Sequence, residues 1–139
     1  KNSFQKKFKK VFKTQNSINS YILIIFPYVK CETKKIYKMV NNFSLSSGNF
    51  YSKKMNRDKF IKMIKKDHND LQELVEKKYP KISQIILSIF DQVGCIFSRM
   101  TGSGSACYGV FKSKKTAQFA ITKLKRKYPK YWCVVTKTI

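Results

Sequence analysis

The residues best suited to chemistry in this chain form one short stretch, RMTGSGSACYGVF at positions 99–111. The chain has only five glycines, and two of them, Gly102 and Gly104, bracket Ser103 between two apolar runs. Glycine costs backbone entropy on folding, so it is placed where the chain needs positive φ or a close backbone approach. Two uses fit. The segment can make a tight hairpin turn, or it can bring the backbone close to a ligand such as a phosphate. Spacing alone leaves both open, with the turn the simpler reading.

Other reactive side chains are sparse. His68, the only histidine, stands beside a helix start with no catalytic partner in the sequence and reads as a bystander. Cys31, Cys95, Cys107 and Cys133 show no CxxC spacing, and one histidine is too few to complete a zinc site, so no metal centre is expected. Two of the four cysteines lie in apolar, strand-like stretches, where a free cysteine packs as a small hydrophobe. They read as reduced thiols of a cytosol-like compartment.

The formal charge of +23 could mark a surface that neutralises phosphates. Its carriers are 27 lysines and 3 arginines spread along the chain, and arginine is the residue suited to forked contacts with phosphate and guanine. Together with plentiful Asn, Ile, Phe and Tyr, this is the usage of an AT-rich genome. Codon usage is therefore the reading taken, with a non-catalytic basic nucleic-acid-binding module as the alternative.

The elements that must position the glycine segment follow from periodicity. At 139 residues, 42% hydrophobic and 14% aromatic, the chain is long and apolar enough for one folded core. Tyr21–Phe26, YILIIF, predicts a buried strand stopped by Pro27, and falls well short of the roughly 20 residues that span a membrane. Thr33 is expected to cap a short helix over residues 34–40, and residues 41–54 read as loop. A helix is expected over 57–66, and the capping-box spacing of Asn69 and Gln72 starts another over 70–78. Pro80 opens a third with Ile82, Ile85, Ile86, Ile89 and Phe90 on one face, ended by Gly94. Strands at 95–97 and 106–111 flank the glycine segment; Ser113 caps a helix to about Lys127, and a strand at 132–135 closes the chain. The expected fold class is α+β, an antiparallel sheet covered by helices.

Residues 1–20 are basic and polar, with Phe4, Phe8, Val11 and Phe12 at helical spacing, and read as an insert or tail outside the domain at 21–139. No segment has the layout of a signal peptide. The first residue is lysine and not methionine, so the chain is expected to begin inside a longer protein.

With the elements placed, Arg-Met-Thr-Gly-Ser-Gly-Ser-Ala-Cys-Tyr-Gly-Val-Phe at 99–111 resembles the third, C-terminal motif of the GHMP kinases. More narrowly it is similar to the 4-diphosphocytidyl-2-C-methyl-D-erythritol kinase family of non-mevalonate isoprenoid biosynthesis. Leu-Ile-Ile-Phe-Pro-Tyr-Val-Lys-Cys-Glu-Thr-Lys-Lys-Ile-Tyr at 23–37 and Asn-Asp-Leu at 69–71 agree with that family in order and spacing. The resemblance implies the ferredoxin-like C-terminal domain of such a kinase. Tyr37, which on its own reads as the apolar anchor of a short helix, falls where the family stacks an aromatic on the substrate's cytosine. Thr33 would contact substrate beside it, and Thr101, Gly102, Ser103 and Gly104 would line the cleft.

The family's phosphate loop, catalytic lysine and catalytic aspartate lie in an N-terminal half. None of the seven acidic residues here stands in a segment matching the catalytic motif. The resemblance thus implies no catalytic residue in this chain, ATP and Mg²⁺ bound mainly by the N-terminal half, and an inactive fragment when alone. The full enzyme would phosphorylate the 2-hydroxyl of 4-diphosphocytidyl-2-C-methyl-D-erythritol, in a bacterial cytoplasm or a plastid, and the lysine- and asparagine-rich inserts lean toward the plastid of an AT-rich eukaryote. Another GHMP kinase, of mevalonate or homoserine type, or a degenerate fragment, are the neighbouring readings. Two departures stand out: Tyr28 follows the proline where the family has glycine, and Ser105 is an extra residue before Ala106.

Overall fold

The β-branched run at Tyr21–Phe26 forms the first strand, β1, of a computed structural model that describes residues 19–42 and 56–138. It is followed by α1 (Thr33–Met39), α2 (Arg57–Lys66), α3 (Gln72–Lys78) and α4 (Pro80–Phe90). The chain then forms β2 (Cys95–Met100), β3 (Cys107–Phe111), α5 (Lys114–Lys127) and β4 (Trp132–Lys137). The four strands make one antiparallel sheet in the order β2-β3-β1-β4, so the expected α+β class forms. The helical spacing at residues 4–12 and most of the expected loop at 41–54 lie outside the described residues.

Strand alternation divides the apolar residues between two faces. Leu23 and Ile25 of β1, Cys107 and Phe111 of β3 and Cys133 of β4 join Ile82, Ile85 and Ile89 of α4 and Ala117, Ala120 and Leu124 of α5 in the main core. The intervening side chains point the other way. There Val110 and Phe97 are covered by Ile61 of α2, with Ile22, Ile64 and Tyr108 packed around them. Further along that face the register partners Phe26 and Trp132 remain 37% and 50% exposed.

A bulge in β2 makes this second layer possible. The pairing with β3 shifts between Cys95 and Phe97, which sends Phe97 to the α2 face although Cys95 packs on the main core. Ser98 then returns to the first face, where its hydroxyl donates to the Ile86 carbonyl of α4 at 2.8 Å. Beyond the bulge the strand continues to Met100, three residues past the expected end at Phe97.

Several local expectations need correction. Thr33 is the first residue of α1 and does not cap it; Glu32 holds the cap position, with no side-chain cap bond. The helix after Asn69 begins at Gln72 and not at 70: Gln72 N–H donates to the Asn69 carbonyl at 3.0 Å, while the Asn69 Nδ2 and Gln72 Oε1 groups bond to β2 and its loop. Phe90 does not share the inward face of α4 and is half exposed. Ser113 does cap α5, accepting from the Thr116 N–H at 3.2 Å, and Pro80 opens α4.

All four cysteines are free. Burial pushes the Cys107 thiol up to about 12 and the Cys95 thiol up to about 11, so both stay protonated at neutral pH. The thiolate is the nucleophile, and Cys31 is less buried than either. Alkylation at pH 8 is therefore expected to reach Cys31 at least roughly tenfold faster than Cys107. Mass-spectrometric timing of each modified peptide checks this order.

Candidate functional site

The glycine segment leaves β2 at Met100 and re-enters the sheet at Cys107. Its turn is closed by Gly104 N–H donating to the Thr101 carbonyl at 2.9 Å and by Thr101 N–H donating to the Ala106 carbonyl at 2.9 Å. The hairpin and the ligand-facing loop are thus one object with two differently used glycines. Gly102 has φ +47, and a Cβ built there meets nothing within 4 Å. Gly104 has φ +88 and turns inward, where a Cβ would stand 3.0 Å from both Cys31 Sγ and Met100 Sδ. The peptide between Gly104 and Ser105 is cis, and Ser105 is buried.

Side chains from α1, from the segment before α3 and from the first residue of α3 hold this loop in place. The hydroxyls of Thr33 and Ser103 lie 3.2 Å apart, tying the first turn of α1 to the loop. Asn69 donates to the carbonyls of Met100 and Gly102, at 3.1 and 2.7 Å. Gln72 accepts from Met100 N–H at 2.9 Å.

Above the loop lies an open cleft of about 540 Å³ lined by Tyr37, Thr101, Gly102, Arg99, Met100, Tyr108 and residues His68, Asn69, Asp70 and Leu71. Tyr37 is 50% exposed, so it is not the anchor of α1; that anchor is Ile36, 1% exposed. Of the expected site residues the cleft brings together Tyr37, Thr101 and Gly102. Thr33, Ser103 and Gly104 do not line it: the first two bond to each other beside it, and Gly104 packs beneath. The turn after Pro27 keeps a left-handed backbone although glycine is missing, with Tyr28 at φ +56 and its ring 4.7 Å from that of Phe26.

Arg99 lies on the α2 side of the bulge and serves the fold. Its guanidinium donates to the carbonyls of Ile64 and Lys65 at 3.1 and 3.3 Å, closing the C-terminus of α2, and lies 4.5 Å from the Phe97 ring. Burial raises the Tyr108 phenol, and the Arg99 guanidinium opposes that shift.

His68 sits on the cleft rim with Nε2 3.1 Å from Asp70 Oδ1. A second opening shares this rim and is lined by Asp67, Asp70, Glu73 and Glu76, four of the chain's seven acidic residues. Even so, no three His, Cys, Asp or Glu side chains among the described residues are placed to hold a metal ion. Among the described residues no helix is long and apolar enough to cross a membrane.

Sequence reasoning missed three residues: Gly109, Gln72 in its actual role, and Asn69 as a loop contact. Gly109 gave a signal, a glycine inside an apolar strand, which marks a close approach. Asn69 and Gln72 gave none, since their capping-box spacing points to each other.

Residues 50–130 match the family described as GHMP kinases C terminal. A 4-diphosphocytidyl-2-C-methyl-D-erythritol kinase of Pelagibacter ubique is 36% identical over 127 residues, 91% of this chain and 44% of that protein. The protein of that name from the Wolbachia of Brugia malayi is 37% identical over 103 residues, 71% of this chain and 36% of its own length. Among solved structures, a 4-(cytidine 5'-diphospho)-2C-methyl-D-erythritol kinase superposes with a TM-score of 0.61 at 17% identity, covering 87% of this chain and 44% of that one. Homoserine kinase from Cytophaga hutchinsonii superposes with a TM-score of 0.60, also at 17% identity, over 89% of this chain and 42% of that one. The chain spans less than half the length of the curated relatives it matches.

Proposed function

Because this chain belongs to the GHMP kinases, as a C-terminal domain of that family, we propose that it is the substrate-binding half of a 4-diphosphocytidyl-2-C-methyl-D-erythritol kinase. The whole enzyme would transfer the γ-phosphate of ATP to the 2-hydroxyl of its cytidylyl substrate. An N-terminal half would hold ATP and Mg²⁺. Phosphoryl transfer depends mostly on positioning and on electrostatic stabilisation of the moving group. This half's share is positioning: Tyr37 stacks on the cytosine, and the Thr101–Gly102 backbone lines the cleft opposite. Thr33 and Ser103 fix the spacing between α1 and the loop, and Gly104 seats the loop on the core.

The observation that carries this reading is Tyr37, half exposed on a cleft whose other wall is the glycine loop. The names of the relatives support the cytidylyl substrate over that of another GHMP kinase. Those named are bacterial, which supports a bacterial cytoplasm over a plastid as the compartment.

Calorimetric titration of the chain with 4-diphosphocytidyl-2-C-methyl-D-erythritol, for wild type and Tyr37→Ala at two salt concentrations, tests the reading. Stacking of a base on an aromatic contributes about 1–3 kcal/mol, so the variant should bind about 5- to 150-fold more weakly, with little salt dependence. Binding that ignores the substitution and collapses with salt would instead indicate attraction of a polyanion to the basic surface. Tyr37 would then lose its assignment.

A further inference from the structure

Gly102 stands on the cleft wall, and a Cβ built there would meet nothing within 4 Å, so no side-chain packing would seat this residue. Its carbonyl is instead held by a hydrogen bond. The Asn69 side chain supplies it directly, and the geometry points to Asn69 as the positioning residue of this cleft, setting the height of the 101–104 turn against Tyr37. The inference rests on the kinase reading of the site.

The Asn69 amide uses its acceptor and both N–H donors. Oδ1 accepts from Leu71 N–H at 3.0 Å, which fixes the side chain relative to its own backbone. Nδ2 then reaches across to β2 and the loop, donating to Met100 O at 3.1 Å and Gly102 O at 2.7 Å. One carbonyl belongs to the last residue of the strand and the other to the turn, so a single amide spans the step between them. Gln72 holds the same place from the other side, accepting from Met100 N–H at 2.9 Å while its own amide donates to Glu76 at 2.6 Å. Met100 is therefore fixed at both its N–H and its C=O, and Gly102 is fixed relative to Met100.

The chemistry selects an amide. Aspartate has the same shape and keeps the bond to Leu71 N–H, but it sets a carboxylate against two carbonyl oxygens. Asn69→Asp thus separates the local turn from the tether. Serine keeps a short acceptor and reaches neither carbonyl, so Asn69→Ser serves where the aspartate variant unfolds.

The test combines hydrogen exchange of the chain with titration by cytidine 5'-diphosphate. In Asn69→Asp, exchange at residues 101–106 should quicken at least about tenfold while α5 changes less than about twofold, because only the loop's bonds are lost. Affinity for cytidine 5'-diphosphate should fall at least about tenfold in the same variant. Unchanged loop exchange would overturn the inference, as would faster exchange with unchanged affinity. Faster exchange in a protein whose wild type does not bind the nucleotide would refute the cytidine site and leave Asn69 as the loop's tether.

Discussion

Gly109→Ala is expected to lower the stability of the domain by about 3 kcal/mol, and Gly109→Val by more. Gly109 lies in the middle of β3, and a Cβ built on it stands 2.3 Å from Cγ2 of Ile89. That methyl branches from Cβ of a fully buried residue of α4, so it has little freedom to swing aside. Phe111 and Cys95 close the remaining directions at 3.2 and 3.3 Å. Relief requires α4 to lift from the sheet, and α4 carries Ile82, Ile85 and Ile89 of the main core. A domain of this size is stable by about 5–15 kcal/mol, so the loss is a large fraction. Urea unfolding of Gly109→Ala, Ile89→Ala and the double variant checks the cause. The double variant should lose less than the sum of the singles, since removing the Ile89 methyl makes room for the new one. Strict additivity would mean the clash is relieved elsewhere.

The second large effect separates the two glycines of the loop. Gly104→Ala adds the cost of a left-handed backbone, about 1–2 kcal/mol, to crowding against Cys31 and Met100, and should cost about 3 kcal/mol in all. Gly102→Ala meets open space and incurs only the backbone cost, about 1 kcal/mol. The ligand should rank them differently. Gly102→Ala leaves a folded protein whose new methyl projects from the cleft wall, so nucleotide affinity should fall while the thermal midpoint moves by only a few degrees. Gly104→Ala should lower the midpoint sharply. Paired melting and titration curves check both, and equal melting shifts would show that the loop does not divide its glycines in this way.

Much of this architecture is legible from local signals. Pro80 and Ser113 mark helix starts because each acts within its own first turn. The run YILIIF reads as a strand because β-branched residues crowd no neighbour there. What stays illegible acts across the sheet. The bulge at Cys95 to Phe97 breaks alternation, so periodicity ends β2 early and hides the face that Arg99 occupies. Asn69 and Gln72 spell a capping box, yet Oδ1 of Asn69 accepts from Leu71 N–H, and Oε1 of Gln72 accepts from Met100 N–H across the sheet. Of the site itself, the loop and Tyr37 are read through family resemblance, whereas Ile36 and Tyr37 are adjacent apolar residues whose inward and outward senses only the packing decides.

The pairing of β1 with β4 has a consequence for how the protein reaches this state. Tyr21 stands opposite Lys137, so the first strand is flanked on its second side only by the last element of the sheet. Contacts so distant in sequence make folding slow, because the chain entropy of closing the loop is lost before the pairing rewards it. During synthesis, YILIIF emerges more than a hundred residues before β4, and even after β3 has paired with it one row of N–H and C=O groups stays unmatched. An apolar strand in that condition is a template for pairing with other chains. Until Trp132–Lys137 takes its place, each growing chain exposes an apolar strand edge, so fast synthesis should favour association between chains over folding.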